Sequence, residues 1–224
     1  MGAELLEKEK FIFAGNRPHL RMDDEMARID RKGADLAFKK YKKQIMDGLL
    51  LKQGFSRWKS SAYVRRNRIG LLEYLDLQKE RYGSKTFCVN FAAMPLYCGY
   101  SWPVMSMGDR LGVFITGKDV WWDYCDEKAA EQSFENAAAA VEQFVLPWFQ
   151  EISSEKGYRK MLAEFAKSLP ELAAEWLDAL ELREKEPLIQ SGIQQLKLPK
   201  KLSKLQRADR RTEQSDAERQ EKIW

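Results

Sequence analysis

One histidine in a chain of 224 residues leaves little material for a zinc site or for a histidine general base. His19 lies in the loop-like stretch GNRPHL, and we interpret it as a surface residue. The three cysteines, Cys88, Cys98 and Cys125, show no close CxxC spacing, so we expect reduced thiols in a reducing compartment. We therefore expect no bound metal and no cofactor.

Long apolar runs are also lacking. No stretch reaches eighteen consecutive apolar residues, so we expect no transmembrane helix. The first ten residues carry charges where a secretory signal would need an apolar run, and Leu6 stands where a myristoylation signal would have Ser or Thr. By elimination, we expect a soluble, cytoplasmic protein.

The net charge of +4 is unevenly distributed along the chain. Residues 187–224 hold nine Lys or Arg and five Asp or Glu, so the whole excess falls in this C-terminal part. The preceding 186 residues are neutral overall. The body of the protein therefore lacks the positive field that is typical of nucleic-acid-binding domains.

The periodicity of apolar residues predicts an α+β protein. Helical spacing over residues 20–50, clearest from Ala34, is followed by short alternating segments and then by a long helical stripe from about 127 to 146. The alternating segments include TFCVNFAAM and DRLGVFITG, and their short connections favour an antiparallel meander. We expect an N-terminal helix, the meander sheet, a long helix that covers one sheet face, and a C-terminal helical extension.

The chain divides into three predicted parts: a core domain over 1–151, a helical extension over 152–186 and a basic tail over 187–224. Two short helices are predicted in the extension, from GYRKMLAEFAKSL and PELAAEWLDALELR. Within the tail, residues 197–211 carry seven basic side chains and one acid, which is typical of a solvated segment or of an amphipathic helix that orders on a partner. We expect truncation after Glu186 to leave the melting temperature nearly unchanged.

The stretch LLEYLDLQKERYGSKTFCVNFAAMP places acids, amides and a thiol among apolar residues. In a strand, Glu73 shares a face with Leu71, Leu75 and Leu77, whereas Asp76 falls on the other face. The two acids therefore cannot act as a paired general acid and base within this strand. We interpret the stretch as an ordinary hairpin, with Glu73 at an edge or paired with an arginine such as Arg65 or Arg68.

The remaining candidate residues offer no recognisable chemistry. Cys88 has no histidine near it in sequence, and we interpret it as a buried structural thiol. Phosphate-binding loops and the HExxH and GxSxG patterns are all missing. We predict a protein that is not an enzyme and has no catalytic residues, although an unrecognised hydrolase stays open.

Two segments are candidates for contact with a partner. RWKSSAYVRRNR interleaves Arg65, Arg66 and Arg68 with aromatic residues, a pattern seen in single-strand nucleic-acid binding but also in solvated hairpins. A loop with glycine and proline carries three aromatic residues, Tyr97, Tyr100 and Trp102. These rings suit interface anchors and core-covering positions equally well.

The order of several short motifs resembles a family of bacterial domains of unknown function. The motifs are LLLKQGF, YLDLQKERYGSKTFCVNFAAMP, WWDY and VEQFVLPWFQE, and the resemblance covers residues 34–151. Matching positions include Gly54, Gln78, Asn90 and Pro147. Relatives of such domains occur as immunity proteins beside polymorphic bacterial toxins, and the resemblance supplies no catalytic residues.

The resemblance implies that the chain binds and neutralises a cognate toxin. An immunity protein that covers an active site needs aromatic anchors with a charged rim, for which the Tyr97, Tyr100 and Trp102 loop and the Arg65–Arg68 turn are our candidates. Nucleic-acid-cleaving toxins are usually basic, and this chain is not acidic, so we expect a toxin such as an ADP-ribosyltransferase. The alternative is a nucleic-acid or ribosome-associated binding module that uses the basic tail.

Overall fold

Helices pack against an antiparallel sheet in the computed structural model, which describes residues 31–104 and 106–203. The predicted α+β class is confirmed: an N-terminal helix, a six-stranded open sheet and further helices follow one another in that order. The first residues of the predicted N-terminal helix, 20–30, and His19 lie outside the described residues. Within the described ranges, no helix is long and apolar enough to cross a membrane.

The N-terminal helix has three consecutive parts. They are α1 (Arg31–Tyr41), a π-helical segment (Lys42–Met46) and α2 (Asp47–Lys52). One side of this helix is buried, including Phe38, Tyr41, Met46 and Leu50. Helix α2 ends before Gly54, whose φ of +85° is a left-handed backbone conformation that glycine adopts without strain.

The sheet is a meander in which neighbouring strands are antiparallel. Its strands are β1 (Ser56–Trp58), β2 (Ala62–Arg66), β3 (Leu71–Lys79), β4 (Thr86–Pro95), β5 (Met107–Arg110) and β6 (Trp122–Asp123). The strands lie in the order β1-β2-β3-β4-β5, and β6 also pairs with β4. The predicted hairpin is confirmed as β3 and β4, whose register joins Leu71 to Pro95 and Asp76 to Asn90.

The segment DRLGVFITG was predicted as a strand, and the structure corrects this. Its first two residues end β5, but the rest forms a short helix, α3 (Leu111–Thr116). Leu111 is buried, and a Cβ added at Gly112 would come within 2.5 Å of the Val120 backbone nitrogen. Tertiary packing therefore decided the conformation of a short apolar run that sequence periodicity alone leaves ambiguous.

The long covering helix is confirmed and extends beyond its predicted end. It comprises α4 (Glu127–Ala140), a π-helical segment (Val141–Val145) and α5 (Leu146–Glu151). Asp126 caps its start by accepting a hydrogen bond from the Ala129 N–H at 2.8 Å. Pro147 lies just after the π-helical segment, near the start of α5, and lacks the N–H that a helix interior would need. The helix continues for four residues beyond it.

Aromatic rings join these helices to one face of the sheet. Phe87 on β4 stacks on Phe134 of α4 at a centroid distance of 4.7 Å and meets Phe38 of α1 edge-on at 5.5 Å. Further along β4, Phe91 meets Trp148 of α5 edge-on at 5.1 Å. Such contacts add roughly 0.5–1.5 kcal/mol each beyond their burial of apolar area.

The C-terminal helices are α6 (Glu155–Phe165), α7 (Pro170–Leu180) and α8 (Lys185–Gln195), followed by a short 3-10 helix (Lys200–Ser203). The first two agree with the two short helices predicted from the sequence. Phe165 of α6 stacks on the fully buried Trp176 of α7 at 5.4 Å. The division of the chain into separate domains at residues 151 and 186 stays a prediction.

The packing of residues 187–203 is contrary to the expectation that truncation after Glu186 leaves the melting temperature nearly unchanged. Buried apolar side chains in this part belong to the same hydrophobic cluster as the sheet; they are Ile189, Ile193, Leu196, Leu198 and Leu202. Helix α8 also packs against the backbone, because a Cβ at Gly192 would lie 2.4 Å from the Leu96 carbonyl oxygen. Residues 204–224 lie outside the described residues.

We predict that Ile193→Ala destabilises the protein by about 2–5 kcal/mol, because truncating a buried apolar side chain removes its transfer energy and leaves a cavity. The control is Leu188→Ala on the same helix, where the side chain is 40% exposed and the expected cost is below about 0.5 kcal/mol. Urea unfolding followed by circular dichroism measures both. Equal midpoints for the two variants would show that α8 does not contribute to the core.

Candidate functional site

The three arginines predicted for partner contact lie at one end of the sheet. Arg65 and Arg66 end β2, and Arg68 lies in the turn to β3. In this turn, the Asn67 side-chain oxygen accepts a hydrogen bond from the Leu71 N–H at 3.0 Å, and Gly70 adopts a φ of +86°. The turn chemistry of Asn and Gly therefore fixes where the arginines emerge.

Arg65 pairs with a carboxylate that has no access to solvent. Glu73 on β3 is 0% exposed, and its Oε2 lies 2.5 Å from the Arg65 Nε. The register places the two residues directly opposite each other on the same sheet face. Arg65 also donates to the Gln53 carbonyl oxygen at 2.7 Å and lies over the Phe55 ring at 4.6 Å. The sequence-based interpretation of Glu73 as an ion-paired residue is confirmed.

Arg66 points to the opposite sheet face, because consecutive strand residues alternate. It is only 6% exposed, and its two terminal nitrogens donate to the Glu186 carboxylate, one of them at 3.0 Å. This contact lowers the pKa of the Glu186 carboxyl below its usual range. The guanidinium of Arg66 thereby joins helix α8 to the sheet.

Arg68 has a different position from the other two arginines. Its Nε donates to the Ser153 carbonyl oxygen at 3.0 Å, just beyond the end of α5. No carboxylate within residues 31–104 and 106–203 pairs with Arg68, and the same holds for Lys52 at the end of α2. These two cations are therefore available for an external partner.

A cleft of about 790 Å³ brings these side chains together. We define the arginine cleft by six of its charged and amide lining residues, which are Lys52, Arg65, Arg66, Asn67, Arg68 and Glu142. Gly54 and Pro147, two positions of the sequence resemblance, also line it, as does the buried Glu73. Four cationic side chains line the cleft, and two carboxylates, Glu73 and Glu142, line it with them. Glu186, which pairs with Arg66, is a third negative charge. The net charge of this group is therefore +1.

Two donors in the arginine cleft are buried without a hydrogen-bond partner among the described residues. They are the Nε of Arg66 and the Nδ2 of Asn67. Both residues are at least 94% buried, with exposures of 6% and 5%. An unsatisfied buried donor costs about 1–3 kcal/mol, so each of these two donors calls for an acceptor from water or from outside the described residues.

The predicted aromatic anchors do not form an exposed cluster. Tyr97 is 2% exposed and lies against Ile189 and Gly70 in the core. The Tyr100 hydroxyl accepts a hydrogen bond from the Trp176 Nε1 at 2.8 Å and donates to Glu175 at 2.6 Å. Both tyrosines thus cover the core, because α7 and α8 pack on them, and this is one of the two positions that the sequence left open for these rings.

Trp102 is the exception in that loop, with 68% of its surface exposed. The loop follows β4, and its start is attached to the arginine turn, because the Leu96 N–H donates to the Gly70 carbonyl oxygen at 3.1 Å. Trp102 therefore lies in a loop at the same end of the sheet as the arginine cleft. Sequence reasoning singled out both segments but missed Lys52 and Asn67, which only the fold brings beside the arginines.

The polar side chains of the hairpin gather on the other sheet face. Ser61 donates to the Asp76 carboxylate at 2.7 Å, and Asn90 donates to the Gln78 side-chain oxygen at 3.0 Å. Burial is the main cause that raises the pKa of the Asp76 carboxyl above its usual value. The predicted separation of Glu73 and Asp76 onto opposite faces is confirmed.

The thiols are poorly suited to nucleophilic chemistry at neutral pH. Cys88 is buried, as predicted, and burial raises its pKa to about 11. Burial likewise raises the pKa of Cys98 to about 12 and that of Cys125 to about 11. A nucleophilic cysteine requires the opposite shift. Among the residues with described positions, no group of His, Cys, Asp and Glu could hold a metal ion.

We predict that Arg65→Met destabilises the protein by about 3–5 kcal/mol, because it removes the Arg65 guanidinium from the buried Glu73 carboxylate. Adding Glu73→Leu should recover most of this loss, since the uncompensated charge is then removed. The control is Arg159→Met, whose ion pairs are exposed and contribute below about 1 kcal/mol. Denaturant unfolding measures all three; a double variant as unstable as Arg65→Met would contradict the charge argument.

We predict that Asp76→Asn is more stable than the wild type at neutral pH. The folded-state pKa of Asp76 is raised, so its favourable contribution is present below the unfolded-state pKa and is lost as pH rises through the folded-state pKa. The advantage of the variant should therefore shrink as the solution is acidified. Unfolding midpoints at neutral and acidic pH measure this, with the exposed Asp178→Asn as control; an advantage that does not change with pH would contradict it.

Comparison with known proteins agrees with the coarser part of the sequence resemblance. Curated proteins and solved structures gave no significant match. A family model described as a domain of unknown function (DUF4304) matches residues 46–151. This range runs from the end of the N-terminal helix through the sheet to the end of α5, and it contains every residue by which we defined the arginine cleft. The family model thus matches a little less than half of the chain.

Proposed function

We propose that this protein is an immunity protein, which binds a cognate bacterial toxin and neutralises it by covering the toxin's active site. The observation that carries the proposal is the arrangement at one end of the sheet. There, the arginine cleft, with two cations that have no ion pair among the described residues, and the loop with the exposed Trp102 occur together. Arg and Trp are the residues that most often dominate binding energy in protein interfaces, so this end has the composition of a recognition surface.

The sequence resemblance supports the biological setting of this proposal, because relatives of such domains occur as immunity proteins. The chemistry of the toxin follows from charge. A blocker of a basic nuclease should present an acidic surface to be steered toward it. The arginine cleft is instead positive, and the chain is not acidic, so the proposed target is a toxin such as an ADP-ribosyltransferase.

The nucleic-acid alternative rested on the basic tail. The described part of that tail uses its apolar side chains, Leu198 and Leu202, to pack in the core, and the Lys201 ammonium donates to the Phe55 carbonyl oxygen at 3.0 Å. No described observation favours contact with phosphates by this segment, so we retain a single proposed function.

The test is co-expression of this chain with the toxin domain encoded beside its gene. We expect the wild-type chain to restore growth and to form a complex that can be purified. Trp102→Ala should weaken the complex by about 30-fold or more, as expected for loss of a hot-spot residue worth at least about 2 kcal/mol. The matched control is Tyr82→Ala, which removes a 96% exposed ring from the β3–β4 turn at the opposite end of the sheet.

Two outcomes would overturn the proposal. In the first, cells that express the toxin die equally with and without the wild-type chain, and the purified proteins form no complex. In the second, a complex forms and Tyr82→Ala weakens it while Trp102→Ala does not, which would place the interface at the other end of the sheet.

A further inference from the structure

We infer that the arginine cleft receives one carboxylate side chain from an extended segment of the partner protein. This inference rests on the proposed function for the identity of the partner, but the chemistry of the cleft stands on its own geometry. It goes beyond toxin binding in general, because it names the group that the toxin inserts and the residues that hold it.

The donors in the cleft need an acceptor from outside the described chain. The Asn67 side-chain oxygen is committed to the Leu71 N–H, so its Nδ2 remains as a donor, and this Nδ2 has no partner among the described residues. The Arg66 terminal nitrogens are committed to Glu186, so its Nε likewise remains. Both donors belong to residues that line the cleft.

Two further cations line the cleft. Arg68 uses its Nε for the Ser153 carbonyl oxygen, which leaves its two terminal nitrogens for an external acceptor. Lys52 is exposed at the end of α2 and contributes an ammonium group. Together with the buried donors, they make a recessed site for negatively charged oxygen atoms, with the exposed Glu142 as its acidic lining residue.

The charge of the cleft favours carboxylates over phosphates. Only one positive charge remains in excess after Glu73, Glu142 and Glu186 are counted, and Glu142 would repel a dianion. The same arginines already bind carboxylates within the molecule, where Arg65 holds Glu73 and Arg66 holds Glu186. A carboxylate with one negative charge therefore matches the cleft more closely than a phosphate monoester does.

The size of the cleft favours a segment of chain over a single isolated anion. Its volume of about 790 Å³ is within the range of sites that enclose ligands of many atoms, far more than one carboxylate would fill. The cleft lies at the same end of the sheet as the Trp102 loop. An acidic loop of the toxin could thus contact the arginines while neighbouring toxin residues pack on Trp102.

The experiment measures the binding of a short fluorescent peptide with one glutamate to the full chain by anisotropy, with inorganic phosphate and free glutamate as the competing probes. We expect the peptide to bind at low ionic strength and to dissociate as salt is added. Arg68→Glu and Lys52→Glu should each weaken binding by about tenfold or more. Arg81→Glu, the same charge change at the opposite end of the sheet, should leave it within about twofold.

Nuclear magnetic resonance shows where the probe binds. On addition of the peptide, we expect the side-chain signals of Asn67 Nδ2 and Arg66 Nε to shift. Because Lys52 has no ion pair among the described residues, its substitution tests the site even if Arg68→Glu fails to fold. The inference is overturned if these signals do not move, if Arg81→Glu and Lys52→Glu weaken binding equally, or if inorganic phosphate displaces the peptide at a lower concentration than free glutamate does.

The two proposals fail in different ways. If the peptide binds in the cleft but the chain does not protect cells from the neighbouring toxin, the immunity function is wrong and the carboxylate site stands. If the chain protects cells but the peptide does not bind in the cleft, the immunity function stands and the carboxylate site is wrong.

Discussion

A fully buried carboxylate in the central part of the sheet is the constraint on which the rest of the structure depends. Glu73 has no exposed surface, and a charge removed from water in this way is costly unless it is ion-paired. Its partner, Arg65, lies directly opposite on β2. A shift of this register by one residue would turn the Glu73 side chain to the other face of the sheet, away from Arg65. The pair therefore specifies the alignment of β2 and β3.

That alignment has consequences at the end of the sheet. Once Arg65 is fixed, the next residues along the chain, Arg66 and Asn67, must emerge at the turn on defined sides. Arg66 meets Glu186 and so attaches α8, while Arg68 reaches the carbonyl of Ser153 beyond α5. Arg65, Arg66 and Arg68 thus each hold a different part of the structure. The cleft that they line contains two donors without an acceptor among the described residues.

The two faces of the sheet are chemically different, because successive side chains along a strand point to opposite faces. One face carries the aromatic core, in which Phe87 and Phe91 meet rings from α1, α4 and α5. The other carries hydrogen-bonded polar side chains, among them Asp76 and Asn90. Burial raises the pKa values of the cysteines, so the thiols stay protonated at neutral pH. Nucleophilic catalysis by a thiol is therefore poorly suited to these side chains.

Sequence alone determined the α+β class, the β3–β4 hairpin and the long covering helix, because each depends on local periodicity. For Glu73 it left an edge position and an ion pair with an arginine open, and the structure decided for Arg65. Only the tertiary structure decided the helix at Leu111–Thr116, the burial of Tyr97 and the packing of Ile189 and Leu202. Spacing between neighbours in sequence cannot reveal which distant surface covers an apolar stripe or a ring. The cleft itself joins residues from positions 52 to 154, and contacts over that separation exist only once the chain has folded.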